Sequence, residues 1–144
     1  MRRLFTIALS LVLTSVTGCS SLPSHIQNAT NSILPCGSTP NCISSKDTRP
    51  EFQTAPIHSF MTLDDLHEAL ASLPRCKIMT ETATYLHLEC RSLIFQFIDD
   101  FELLMENGAL HLRSASRVGY SDLGVNQVRV DTFKAALTAS QSKE

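Results

Sequence analysis

Phe101-Glu102-Leu103-Leu104-Met105-Glu106-Asn107-Gly108-Ala109-Leu110-His111-Leu112-Arg113 decides the fold. Asn107-Gly108 supplies two residues that tolerate positive φ, which a two-residue type I′ hairpin turn demands. Folding the segment on that turn sets Met105 against Leu110, Leu103 against Leu112 and Glu102 against Arg113. The apolar pairs then share one face and the opposite charges share the other, as a half-buried antiparallel ribbon requires. Turn chemistry, hydrophobic alternation and charge all specify the same hairpin.

A second hairpin lies just upstream. Pairing Ile78 with Leu88 places Thr80 opposite Leu86, Lys77 opposite Glu89 and Cys76 opposite Cys90. Apolar residues and cysteines again fall on one face and charges on the other. Further upstream, a β-rich patch from Ala55 to Phe60 predicts a first strand. Thr62 is a good helix N-cap, and Asp64 and Asp65 follow in the first turn, where carboxylates favour the positive end of the helix dipole. Leu63, Leu66, Leu70 and Leu73 recur at helical spacing until Pro74 ends the run. Downstream, an irregular stretch with Gly119 and Gly124 leads to a closing helix from about Asn126 to Ala139, with Asn126 as its N-cap. Val130, Phe133 and Leu137 form its apolar stripe. The order β-α-β-β-β-β-α predicts an α+β domain: an antiparallel sheet of four to five strands with two helices packed on one face.

The chain opens differently. Arg2 and Arg3 precede an apolar run from Leu4 to Val16, and Val16-Thr17-Gly18-Cys19 ends it with small residues and a cysteine. This is the tripartite form of a secretory signal, and the apolar run is too short to span a bilayer. The ending resembles the lipobox of bacterial lipoproteins, which implies cleavage before Cys19 and acylation of it. Acyl burial contributes about 0.8 kcal/mol per CH₂, so two or three chains hold a protein where one would let it leave. Ser20 after the cysteine implies, by the same analogy, the periplasmic face of the outer membrane for a Gram-negative source. Residues 1–18 are thus read as signal peptide, 19–34 as a lipidated, polar tether and 35–140 as one domain.

About 125 residues remain after the signal, enough for one core and not two. A net charge of −2 with scattered basic residues offers no footprint for nucleic acid. Trp is absent and aromatics are few, which argues against a carbohydrate platform or base-stacking surface. Four cysteines follow Cys19: Cys36, Cys42, Cys76 and Cys90. An even number in an exported chain reads as two disulfides with three possible connectivities. The hairpin register selects Cys76–Cys90 and leaves Cys36–Cys42.

The segment Ser114-Ala115-Ser116-Arg117-Val118-Gly119-Tyr120-Ser121-Asp122-Leu123-Gly124-Val125-Asn126, with Arg129 beyond it, resembles the signature of a bacterial and plastid family catalogued as domain-of-unknown-function family 1499. Pro40-Asn41-Cys42-Ile43-Ser44-Ser45 is similar to its opening pattern, and Asp99-Asp100 to an acidic pair in its middle. The resemblance runs from about Leu34 to Leu137. Cys36 and Cys42 resemble part of the family's opening, while Cys76 and Cys90 look like an addition. The family brings no established reaction, so what the resemblance implies is a fold and a set of residues to watch.

Those residues admit two uses. Arg117, Asp122, Asn126 and Arg129, with Ser114 and Ser116, stand before a helix N-terminus and could form an anion site. They could equally form a latch, the arginines paired with Asp99, Asp100 or Asp122 and the polar side chains satisfying an irregular backbone. Asp99 shares strand parity with Phe97, Phe101, Leu103 and Met105, so it points toward the core and needs a cation. Arg117 is the partner expected for it, and the latch is the preferred reading.

No catalytic group is assigned: the serines lie in no nucleophile-elbow pattern. His87 and His111 fall on the outer face of the sheet, where solvation is expected. No metal or cofactor is assigned either, since His58, His87, His111 and the cysteines lack ligand spacing. Without a C-x-x-C motif, structural disulfides are favoured over thiol exchange. The expectation is a membrane-anchored envelope lipoprotein with a non-enzymatic binding or structural domain, partnered by the bilayer through Cys19 and by another envelope protein. The alternative is an enzyme or solute-binding domain acting on an anionic envelope substrate through Arg117, Asp122 and Asn126.

Overall fold

The Asn107-Gly108 turn takes the conformation its residues favour, with φ of 52° and 75°. The structure, a computed structural model, describes residues 21–28, 31–59 and 61–142. In chain order the elements are α1 (Ser24–Gln27), β1 (Cys42–Ser44), a 3-10 turn at Pro50–Phe52, α2 (Leu63–Ala71), β2 (Cys76–Glu81), β3 (Tyr85–Arg91), β4 (Ile98–Glu106), β5 (Ala109–Ser116) and α3 (Val125–Gln141). The five strands make one antiparallel sheet in the order β1-β5-β4-β3-β2, the α+β architecture expected. Among the described residues no helix is long and apolar enough to cross a membrane.

The central hairpin has the register read from sequence: Met105 faces Leu110, Leu103 faces Leu112 and Glu102 faces Arg113. In the outer hairpin Cys76 faces Cys90, Lys77 faces Glu89 and Ile78 faces Leu88, but a bulge then shifts the pairing. Thr80 therefore faces His87 rather than Leu86. The bulge lies on β2, the exposed edge strand, where an extra residue disturbs only one ladder.

The first strand also differs from expectation. It is Cys42–Ser44, paired with Arg113–Ala115 on the free edge of β5. The patch from Ala55 contributes only an isolated bridge, in which Ile57 and Leu110 exchange backbone hydrogen bonds of 2.9 Å. Pro56 beside it has no N–H to extend a ladder. Phe60 lies outside the described residues.

Thr62 caps α2 as expected. Its Oγ1 accepts from Asp65 N at 3.1 Å, while the Asp65 carboxylate accepts from Thr62 N at 2.7 Å. The hydrogen bonds from Thr62 hold the Asp65 carboxyl below its ordinary value. The closing helix starts one residue before expectation and is capped otherwise. Gly124 at φ 81° stands at its N-cap, and Asp122 reaches over the first turn to accept from Asn126 N at 2.7 Å. The Asn126 side chain is thereby free to turn inward, where it is fully buried.

Both long helices pack on one sheet face over a core of Leu88, Phe101, Leu103, Leu112, Val130, Phe133 and Leu137. Phe101 and Phe133 meet edge to face at 5.4 Å between ring centres, a geometry worth about 0.5–1.5 kcal/mol beyond burial. The bridges Cys36–Cys42 and Cys76–Cys90 both form. The opposite sheet face is not open to solvent throughout. Within the stretch read from sequence as tether, His25 lies within 3.2 Å of Glu102 and Ile33 is buried against Tyr85 and Leu104.

Candidate functional site

Alternation along β4 sends Asp99 to the helix face and Asp100 to the other, so the acidic pair serves two separate clusters. On the helix face, Arg129 Nη2 donates to Asp99 Oδ2 at 2.7 Å. Its Nη1 donates to Ser114 Oγ at 2.9 Å and to Asn126 Oδ1 at 2.6 Å. Asn126 Nδ2 in turn donates to Asn41 O at 2.9 Å and to Ser116 Oγ at 3.1 Å. Asn41 Nδ2 closes the circuit on Gly119 O at 2.8 Å. Ser114 and Asn126 are fully buried, and every group named here has its partner within the domain. The cluster ties α3, β4, β5 and the loop before β1 into one seam.

On the other face, Arg117 holds Asp100 with two nitrogens: Nε to Oδ2 at 2.9 Å and Nη2 to Oδ1 at 2.7 Å. Nη2 also donates to Glu89 Oε1 at 2.6 Å, and His87 Nε2 donates to Asp100 Oδ1 at 2.7 Å. Two residues further along β4, Glu102 accepts from Tyr85 Oη and from Arg113 Nη1, each at 2.8 Å, and from His25. Asp100, His87 and Glu102 are each no more than 1% exposed. Arg113 Nε is buried with no hydrogen-bond partner among the described residues.

The electrostatics follow from this packing. Burial pushes the Asp100 carboxyl up, but hydrogen bonds from His87 and Arg117 outweigh it and hold the group below its ordinary value. Burial acts the same way on Glu102, and the hydrogen bond it accepts from His25 and its attraction to Arg113 again prevail. The hydrogen bond to Asp100 raises Arg117 further. Burial, then the Glu102 carboxylate, push the Tyr85 phenol well up.

Several expectations change here. Arg117 does not pair with Asp99; Arg129 does, because Arg117 and Asp99 lie on opposite faces. Asp99 points to the helix face as its parity predicts, but Phe97 precedes the strand and is half exposed. His87 is buried rather than solvated. Arg117, Asp122 and Asn126 do not converge: the first lies beneath the sheet, the second caps α3 and the third is sealed within the helix-face seam. Cys19 lies outside the described residues. Among the described residues, no three His, Cys, Asp or Glu side chains come together as a metal-holding group.

Sequence reasoning missed Tyr85, His87, Glu89 and Asn41. A signal for His87 and Glu89 was available. Pairing the two hairpins side by side puts Glu89 directly opposite Asp100 and His87 opposite Glu102. Two facing carboxylates are repulsive and demand a shared cation, which is Arg117.

Fold and clusters together define a small α+β domain in which one sheet carries a helix-covered core on one side and a buried ion-pair lattice on the other. The chain belongs to the family described as "Protein of unknown function (DUF1499)", whose model matches residues 32–137. No curated protein matches the chain.

Proposed function

We propose that this chain is a lipid-anchored protein of the cell envelope whose domain works without catalysis, by binding another envelope protein or as a structural component. The observation that carries the domain reading is Arg117: its side chain is 4% exposed and is shared between Asp100 and Glu89. A guanidinium so engaged is spent on holding strands together rather than on receiving an anionic substrate. The anchor is supported by Val16-Thr17-Gly18-Cys19 after the basic and apolar segments. Ser20 supports the outer membrane for a Gram-negative source. The acylated Cys19 gives the bilayer as the first partner, with the domain held at its surface.

Metabolic labelling with palmitate tests the anchor. The wild type takes up label and is shortened by the signal peptide, whereas Cys19→Ala remains an unlabelled precursor. Normal processing of Cys19→Ala, with no label in the wild type, would overturn the reading.

A further inference from the structure

One end of the sheet carries apolar side chains that the core does not use. Between β3 and β4, Leu93, Ile94 and Phe95 are each at least 70% exposed, and Phe97 stacks on Phe95 at 5.5 Å. The loop from β5 to α3 leaves the same end, where Arg117 N donates to Ile98 O at 3.0 Å. It carries exposed Tyr120 and Leu123. Leu123 is held at φ 55°, a conformation glycine adopts at less cost, so an apolar side chain stands in water on strained backbone. Exposed apolar side chains gathered at one end of a domain mark a contact surface more often than scattered ones do.

Three basic residues flank this end. Arg75, Lys77 and Arg91 line a groove of about 530 Å³, with Met79, Gln96 and one acid, Glu89. Glu89 is already engaged by Arg117 and Arg91, which leaves the rim predominantly cationic. The turn binds part of its own polar surface: Ser92 N donates to Phe97 O, Phe97 N to Ser92 Oγ, and the Gln96 amide to the carbonyls of Ser92 and Leu93. Each polar group bound within the loop is one fewer to leave stranded at the headgroup–acyl boundary.

We infer that this end docks on a phospholipid bilayer, with Leu93, Ile94, Phe95 and Phe97 at the headgroup–acyl boundary, Tyr120 at the interface and Arg75, Lys77 and Arg91 on anionic headgroups. Aromatic and aliphatic tips beside basic residues are what an interfacial contact needs. The contact deepens the lipid-anchored reading by giving the tethered domain a fixed orientation on the membrane.

The chain has no tryptophan, so single substitutions report their own surroundings. The mature chain with Cys19→Ser, which keeps every described residue but cannot be acylated, is mixed with vesicles of phosphatidylethanolamine and phosphatidylglycerol. Phe95→Trp emission shifts to the blue and is quenched by brominated acyl chains, while Ala83→Trp at the opposite end does not respond. Adding Ile94→Asp and Phe97→Asp lowers vesicle partition by about tenfold or more, with the circular dichroism of the folded chain unchanged. An unresponsive Phe95→Trp in folded protein, or a blue shift that grows with protein concentration without lipid and so marks a second copy, would overturn the inference. Failure of the anchor alone shows separately, as missing palmitate on wild-type Cys19.

Discussion

Arg129 on the closing helix reaches Asp99 at the start of β4, 2.7 Å away, across the seam where helix and sheet meet. It also holds Ser114 and Asn126, so one guanidinium joins three elements. Removing it would leave the Asp99 carboxylate, which is largely buried, without its cation.

Arg129→Met is therefore expected to lower unfolding free energy by about 3–5 kcal/mol, the usual effect of breaking a buried pair. Combining it with Asp99→Asn should recover part of that loss, because no uncompensated charge then remains. Urea unfolding of the two singles and the double completes the cycle. Strict additivity would show that the pair does not couple.

Acid should unfold the domain through the opposite face. Asp100 and Glu102 have folded pKa values below their ordinary ones, so their stabilisation is complete above the unfolded carboxylate range, near about 4. It drains away as pH falls through the lower folded values. Stability measured from about pH 7 down to pH 3 should drop steeply below about pH 5, and Glu102→Gln should flatten the slope. An unchanged slope in that variant would remove Glu102 from the account.

The outer hairpin is pinned by Cys76–Cys90, a sequence separation of 14. Replacing both by Ser should cost about 3 kcal/mol in the chain-entropy model, against about 2 for the shorter Cys36–Cys42 loop. Mass mapping of unreduced peptides checks the pairing, and a Cys42–Cys76 peptide would refute it.

Thr62→Ala removes the side chain that accepts from Asp65 N and should cost about 1 kcal/mol. Thr62→Ser should restore most of it. Equal losses in the two variants would mean that the methyl group, not the hydroxyl, matters.

What was legible in the sequence was mostly local. Asn107-Gly108 dictates its turn, and the turn dictates the register of β4 on β5. In the separate β2–β3 hairpin, alternation alone brings Cys76 opposite Cys90. Thr62 caps a helix whatever surrounds it. The rest depends on distant neighbours. β1 is Cys42–Ser44 because that segment pairs along three residues of β5, whereas the patch from Ala55 makes only the Ile57–Leu110 bridge beside Pro56. His87 is buried among the carboxylates of its face, bonded to Asp100 and facing Glu102 across the strands. The pair expected first, Arg117 with Asp99, does not form: Arg129 holds Asp99 and Arg117 holds Asp100. Parity correctly sent Asp99 inward, and the same alternation carried on from Arg113 sends Arg117 to the other face.

The most direct measurement concerns Arg117 itself. If its guanidinium is committed to Asp100 and Glu89, Arg117→Ala loses about 3–5 kcal/mol and yields less folded protein. The wild type then shows no rise in melting temperature with any of a panel of phosphates and carboxylates. A variant within about 1 kcal/mol of wild type, together with a wild type stabilised by one of those anions, would contradict the account and restore the anion-binding alternative.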